Sequence, residues 1–129
     1  MMPSIFTRIL NGEIPCQKIA EDERFFAFLD IRPIHAGHTL VIPKEEIDYI
    51  FDMDDPLLGD MMVFAKKVAR RIKKAISCQR IGVMVAGIEV PHAHIHLVPI
   101  SSVADLSFAK AKPASPEELA KVAELIRKA

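Results

Sequence analysis

Hydrophobic and polar positions along this chain change period several times, and each change marks an element. Residues 4–10, Ser-Ile-Phe-Thr-Arg-Ile-Leu, read as a short helical turn stopped by the reversal pair Asn11-Gly12, and Pro15 ends regular structure there. Residues 18–21 read as a short strand. The aromatic-rich run 24–30 and the β-branched run 38–43 read as a second and third, separated by turn chemistry at Arg32-Pro33 and Ala36-Gly37. Together they predict an antiparallel meander. The period then lengthens. Asp55 and Pro56 predict a helix start, a capping side chain followed by a first-turn proline. Leu58, Met61, Met62, Ala65, Val68, Ala69, Ile72 and Ile76 follow as one apolar stripe. Residues 80–90 predict a fourth strand and 91–99 a fifth. Residues 101–114 are irregular. Ser115-Pro116-Glu117-Glu118 predicts a capping box opening a last helix, with Leu119, Val122, Ala123 and Ile126 facing the core. The sum is an α+β domain spanning residues 1–129, one antiparallel sheet of about five strands with a long helix packed on it.

Composition narrows the class without naming a chemistry. Half of the 129 residues are hydrophobic and 26% are charged, as expected of one globular domain. Seventeen basic residues balance 17 acidic ones, so no global field favours nucleic acid or an anionic membrane. The basic residues Lys66, Lys67, Arg70, Arg71, Lys73 and Lys74 read as a solvated helix face rather than a nucleic-acid groove. Cys16 and Cys78 lack any disulfide or metal spacing. With no signal-like N-terminus and no apolar run long enough to span a bilayer, a reduced cytoplasm is expected.

The candidate chemistry sits in the fifth strand, Pro-His-Ala-His-Ile-His-Leu-Val-Pro at 91–99. His92, His94 and His96 alternate with apolar residues, which on a strand puts three imidazoles on one face, roots roughly 6.6 Å apart, and their neighbours in the core. Three chemistries use such a face. The histidines bind a zinc ion, with Glu89 near enough to assist; one imidazole is a nucleophile while its neighbours bind an anion; or all three satisfy hydrogen bonds in a buried strand. Spacing alone does not separate them.

A resemblance does. Residues 91–99 resemble the signature of the histidine triad (HIT) family, alternating histidines and hydrophobic residues. Residues 4–44, including Phe-Leu-Asp-Ile-Arg-Pro-Ile-His-Ala-Gly-His-Thr-Leu-Val-Ile-Pro-Lys, resemble the N-terminal half of its HINT-like branch. The resemblance implies the HIT-like fold, in which two subunits commonly join into one continuous sheet, hence a homodimer. It implies a nucleotide hydrolase acting on purine nucleoside monophosphate derivatives (phosphoramidates or adenylates), with no metal and no cofactor. By resemblance, His94 is the nucleophile forming a nucleotidyl-histidine, His92 and His96 flank it with His96 at the phosphate, and His38 completes the site. Asp30 matches the residue that holds the ribose hydroxyls, and Ile31, Phe6 and Leu29 match the slot for the base. From the residues alone, Asp30 equally reads as a turn-capping carboxylate and His38 as a satisfied strand-end histidine. His35 matches no functional position and reads as a surface residue.

Two segments depart from the family pattern. Where many HINT-like proteins carry a Gly-Gln-Ser/Thr segment, this chain has Ala86-Gly87-Ile88-Glu89-Val90-Pro91. Gly87 stands in for the glycine, and Glu89 replaces a hydroxyl. A carboxylate there either acts as general acid to the leaving amine or turns away into a salt bridge. Some relatives also have metal-binding cysteines at the positions of Ser4 and Thr7, so a structural zinc of that type is not expected. The rival readings are a dinucleoside polyphosphate hydrolase on the same scaffold, a non-catalytic nucleotide-binding protein, and a metal-dependent phosphoesterase.

Overall fold

The computed structural model describes residues 3–129. Its centre is a five-stranded, wholly antiparallel sheet: β1 (Lys18–Glu21), β2 (Phe25–Leu29), β3 (Thr39–Pro43), β4 (Arg80–Met84) and β5 (Ile95–Ile100), in the order β1-β2-β3-β5-β4. The first three strands form the expected meander. In β2 and β3 every residue is buried, because both faces of the sheet are covered. Phe25, Ala27, Leu29, Val41, Ile95 and Leu97 face the main core. Phe26, Phe28, Leu40 and Ile42 face the other way, where α1 (Ile5–Leu10) lays Phe6 against them. Each such side chain, fully buried, contributes about 1.5–3 kcal/mol.

The main core is closed by α2 (Asp55–Ala75) and α3 (Pro116–Lys128). α2 buries Met61, Phe64, Ala65, Val68 and Ile72. Met62, expected on that stripe, is instead 47% exposed, and Phe64 takes the inward position and packs on Phe25 with ring centroids 5.6 Å apart. The helix cap also differs. Asp54, not Asp55, is extended and accepts the Leu57 amide at 2.9 Å, which puts Asp55 in the first turn. α3 begins where expected, with Ser115 Oγ accepting the Glu118 amide, the serine half of the expected capping box, and with Ala123 and Ile126 buried. The basic face of α2 is solvated at Lys66, Lys67, Arg70, Lys73 and Lys74. Among the described residues, no helix is long and apolar enough to cross a membrane.

Two strands are shorter than their apolar runs suggest. β4 stops at Met84, paired with His96, instead of continuing to residue 90. Its partner ends there, because β5 starts only at Ile95, and Gly87 then turns the chain at φ 72°. Nothing lies within 4 Å of a Cβ built on Gly87, so the left-handed backbone, not close approach, is what calls for glycine. His92 and His94 therefore precede the strand. The alternation still holds through them, since Ala93 and Ile95 join the main core while the histidines face Phe6.

Candidate active site

Side chains from four segments converge on the face of the sheet that carries α1. His38 comes from the residue just before β3, Phe6 from α1, His92 and His94 from the approach to β5, and His96 from β5 itself. All four histidines are buried: His38 is 1% exposed, His92 0%, His94 7% and His96 6%. The ring centroids of His94 and His96 lie 4.9 Å apart, and Phe6 meets His94 edge-on at 5.0 Å.

Hydrogen bonds assign a tautomer to each neutral ring. His94 Nδ1 lies 2.7 Å from the carbonyl of His92, which only accepts, so Nδ1 carries the proton and Nε2 keeps a bare lone pair. His38 Nδ1 accepts the Ile34 amide at 3.0 Å, so its Nε2–H donates to His96 Nδ1 at 2.9 Å. His96 must then carry its own proton on Nε2. The free nitrogens of the two adjacent rings are thus complementary, a lone pair on His94 and an N–H on His96. Among the described residues no buried side-chain nitrogen or oxygen lacks a partner, so these two unpaired nitrogens reach the surface. His92 differs. Its Nε2–H donates to the Pro43 carbonyl at 2.8 Å and its Nδ1 accepts the Ser4 hydroxyl at 2.7 Å, leaving no nitrogen for chemistry.

Burial sets the charge state. It pulls the pKa of His38 down to about 4, and burial with the neighbouring His38 and His94 brings His96 to about 4. Both rings are neutral at pH 7, so His96 offers a hydrogen bond rather than a positive charge. Asp30 sits at the mouth of the cluster. Its Oδ1 accepts the Arg32 amide at 2.9 Å and its Oδ2 lies 3.7 Å from His38 Nε2, so the turn-capping role and a site position coexist. Burial raises its pKa, against the Arg32 amide and the nearby histidines.

Asp30, His38 and His96 are the one group among the described residues that brings three metal-ligating side chains together, donor atoms within 4.8 Å of one another. They do not fit an ion as arranged. The Ile34 amide occupies the Nδ1 lone pair of His38, which keeps the proton on Nε2, where a metal would need a lone pair.

The other expected site residues are less uniform. Ile31 is 66% exposed beside Asp30. Leu29 belongs to the main core, on the face opposite Phe6 and His96, because odd positions of β2 point under α2 and α3; it borders a cavity of about 90 Å³ between Asp30, His38 and α3 instead. A shared slot with Phe6 is therefore ruled out by strand alternation. Glu89 is exposed, and among the described residues no hydrogen bond or ion pair joins it to the histidines or to any cation. The salt bridge considered for it is absent there. His35 is exposed, as expected. One contact had no signal in the pattern of the chain: Phe108, from the irregular segment, meets His96 edge-on at 5.0 Å.

Residues 11–103 match the model of the HIT domain. The chain belongs to the HIT family. Among its HIT relatives, the adenosine 5'-monophosphoramidase hnt1 of Schizosaccharomyces pombe is 39% identical over 103 residues, covering 76% of this chain and 74% of the relative. A Hit-like protein of Bartonella henselae involved in cell-cycle regulation, solved with an unknown ligand, superposes with a TM-score of 0.85 at 32% identity, over 97% of this chain and 95% of that one. A zinc-bound histidine triad family protein of Mycobacterium smegmatis superposes with a TM-score of 0.81 at 29% identity, over 96% and 90%. The expected HIT-like α+β fold is thereby borne out.

Proposed function

We propose that this HIT protein is a nucleotide hydrolase that cleaves nucleoside monophosphate derivatives at the α-phosphate, phosphoramidates foremost, with His94 as nucleophile. One observation carries the reading: His94 Nε2 is held bare by the His92 carbonyl, next to a His96 ring whose Nε2–H is held outward by His38. The monophosphoramidase name of a relative at 39% identity supports the substrate class.

The chemistry runs in two displacements. His94 Nε2 attacks phosphorus, a P–N bond to the ring forms, and the bond to the leaving amine breaks as that amine takes a proton from water. The phosphorylated ring is cationic, and its Nδ1–H keeps the His92 carbonyl as partner, which stabilises the charge. Water then attacks phosphorus, loses a proton to solvent, and returns the electron pair to Nε2. His96 Nε2–H donates to a phosphate oxygen throughout, where charge builds in the loose transition state. Being neutral at pH 7, it is a donor and not a proton source. Asp30 takes the ribose hydroxyls and Phe6 with Ile31 flanks the base. No step passes through a metal or through Glu89. The exposed edge of β4, with Val83 49% exposed and Val85 just past its end 41% exposed, supports the homodimer that the resemblance implies, two β4 edges pairing. A molar mass twice the chain's in light scattering is the expected result.

The deciding experiment is intact-protein mass spectrometry after mixing with an adenosine phosphoramidate in EDTA, comparing wild type, His94→Ala and His96→Ala. An acid-labile adduct of AMP mass is expected in the wild type or accumulating in His96→Ala, and absent from His94→Ala. AMP binding with neither adduct nor turnover would move the protein to a nucleotide-binding role.

A further inference from the structure

Beside His92, where α1 begins, lies a polar network that the reaction itself does not use. Glu46 Oε1 accepts two hydrogen bonds from the first turn of α1, from the Ser4 amide at 2.7 Å and from Thr7 Oγ1 at 2.7 Å. Because the Thr7 hydroxyl proton is spent on Glu46, Thr7 Oγ1, 3.4 Å from His92 Nδ1, has none left for that ring. Ser4 Oγ accepts the Thr7 amide at 3.1 Å and sends its single proton to His92 Nδ1 at 2.7 Å. Thr7 Oγ1 also lies 3.3 Å from Ser4 Oγ, but the shorter contact to His92 Nδ1 takes the Ser4 proton. The two hydrogen bonds, from Thr7 first and then Ser4, also pull the Glu46 carboxyl below its ordinary pKa, so it is an acceptor only at neutral pH.

We propose that Glu46 is a positioning residue for His94, acting through Ser4, Thr7 and His92 to hold the carbonyl that fixes the His94 tautomer. The inference rests on the reading of His94 as nucleophile. His92 and His94 precede β5, so no sheet ladder holds the His92 carbonyl. What holds it is the ring of His92, pinned at Nε2 by Pro43 and at Nδ1 by Ser4, and the next amide, Ala93, which donates to Ile47. Glu46 is the neighbour of Ile47 in sequence and the anchor of Ser4, so one residue ties both supports together. The same anchor seats α1, and with it Phe6 against the His94 ring at 5.0 Å. If the His92 carbonyl drifts, nothing keeps the proton of His94 on Nδ1, and the Nε2–H tautomer that then appears has no lone pair facing the substrate.

The test compares wild type, Glu46→Ala, Glu46→Gln and Thr7→Val by long-range ¹H–¹⁵N imidazole spectra at pH 7, and by the rate of His94 nucleotidylation with an adenosine phosphoramidate. Wild type shows His94 as Nδ1–H alone. In Glu46→Ala the Nε2–H form of His94 appears and nucleotidylation slows by roughly 10- to 100-fold. Glu46→Gln, which keeps the acceptor oxygen, restores both. A Glu46→Ala protein with the wild-type His94 spectrum, or with an altered spectrum and the wild-type rate, overturns the proposal. If Glu46→Ala does not fold, Thr7→Val, which removes one of the two donors, is held to the same spectrum and rate. If neither the wild type nor His96→Ala forms an adduct, the nucleophile reading falls, and the spectra still decide whether Glu46 controls the tautomer.

Discussion

Taking the pH from 7 to 5 is expected to destabilise this protein, and replacing His38 with glutamine is expected to remove a defined part of that loss. In the folded chain His38 and His96 have pKa values of about 4, against the ordinary 6.5 they regain on unfolding. Between those values the unfolded chain binds more protons, so stability falls as the pH drops through 6.5 and levels off near 4. For a shift of this size, linkage gives about 2 kcal/mol per imidazole between pH 7 and pH 5. Both rings are almost fully buried, so solvent screening takes little from that figure. The groups facing the pair are Asp30 and His94, with His92 behind them. Burial lowers the pKa of His92, which adds to the loss, and raises that of Asp30, which offsets part of it. They are common to both proteins and largely cancel in the comparison. Urea unfolding of wild type and His38→Gln at pH 7 and pH 5 then yields a difference of differences. His38→Gln should lose at least about 2 kcal/mol less than the wild type, and more if removing His38 relieves His96. Its absolute stability is irrelevant to the result. Equal losses in the two proteins would refute the claim that burial holds this pair neutral.

Three further outcomes follow from the packing. Phe6→Ala removes a ring that touches Phe28, His92 and His94, and should cost about 3–5 kcal/mol in denaturant unfolding. Gly37→Ala meets both a φ of 97° and a Cβ only 3.0 Å from Ile76 Cγ1 and 3.2 Å from Pro99 Cγ. A loss of about 1–3 kcal/mol is expected, and a melting temperature equal to wild type would contradict it. Glu89→Gln should leave turnover of an adenosine phosphoramidate within about twofold across the pH range, because the carboxylate is exposed and unconnected to the histidines. A lost limb in the pH profile would return Glu89 to the reaction.

Much of this was legible in the chain itself. Apolar alternation at Ala93, Ile95 and Leu97 placed His92, His94 and His96 on one face even where the strand had not begun. The runs in β2 and β3, the proline-led helix starts and the caps marked the layers, because these signals depend on neighbours within a few residues. Apart from the one-residue shift of the α2 cap to Asp54, errors arose where a long-range partner decides. β4 ends early because β5 offers it nothing beyond His96, Phe64 displaces Met62 because Phe25 waits opposite, and Leu29 is drawn under α3 and away from Phe6. The sequence alone named the histidines; which nitrogen of each ring is free was settled by the carbonyls of Pro43 and His92 and the amide of Ile34, by Ser4, 88 positions away in the chain from His92, and by burial that no local pattern records. A proton on an imidazole goes where the nearest acceptor lies, and only the folded chain brings that acceptor within reach.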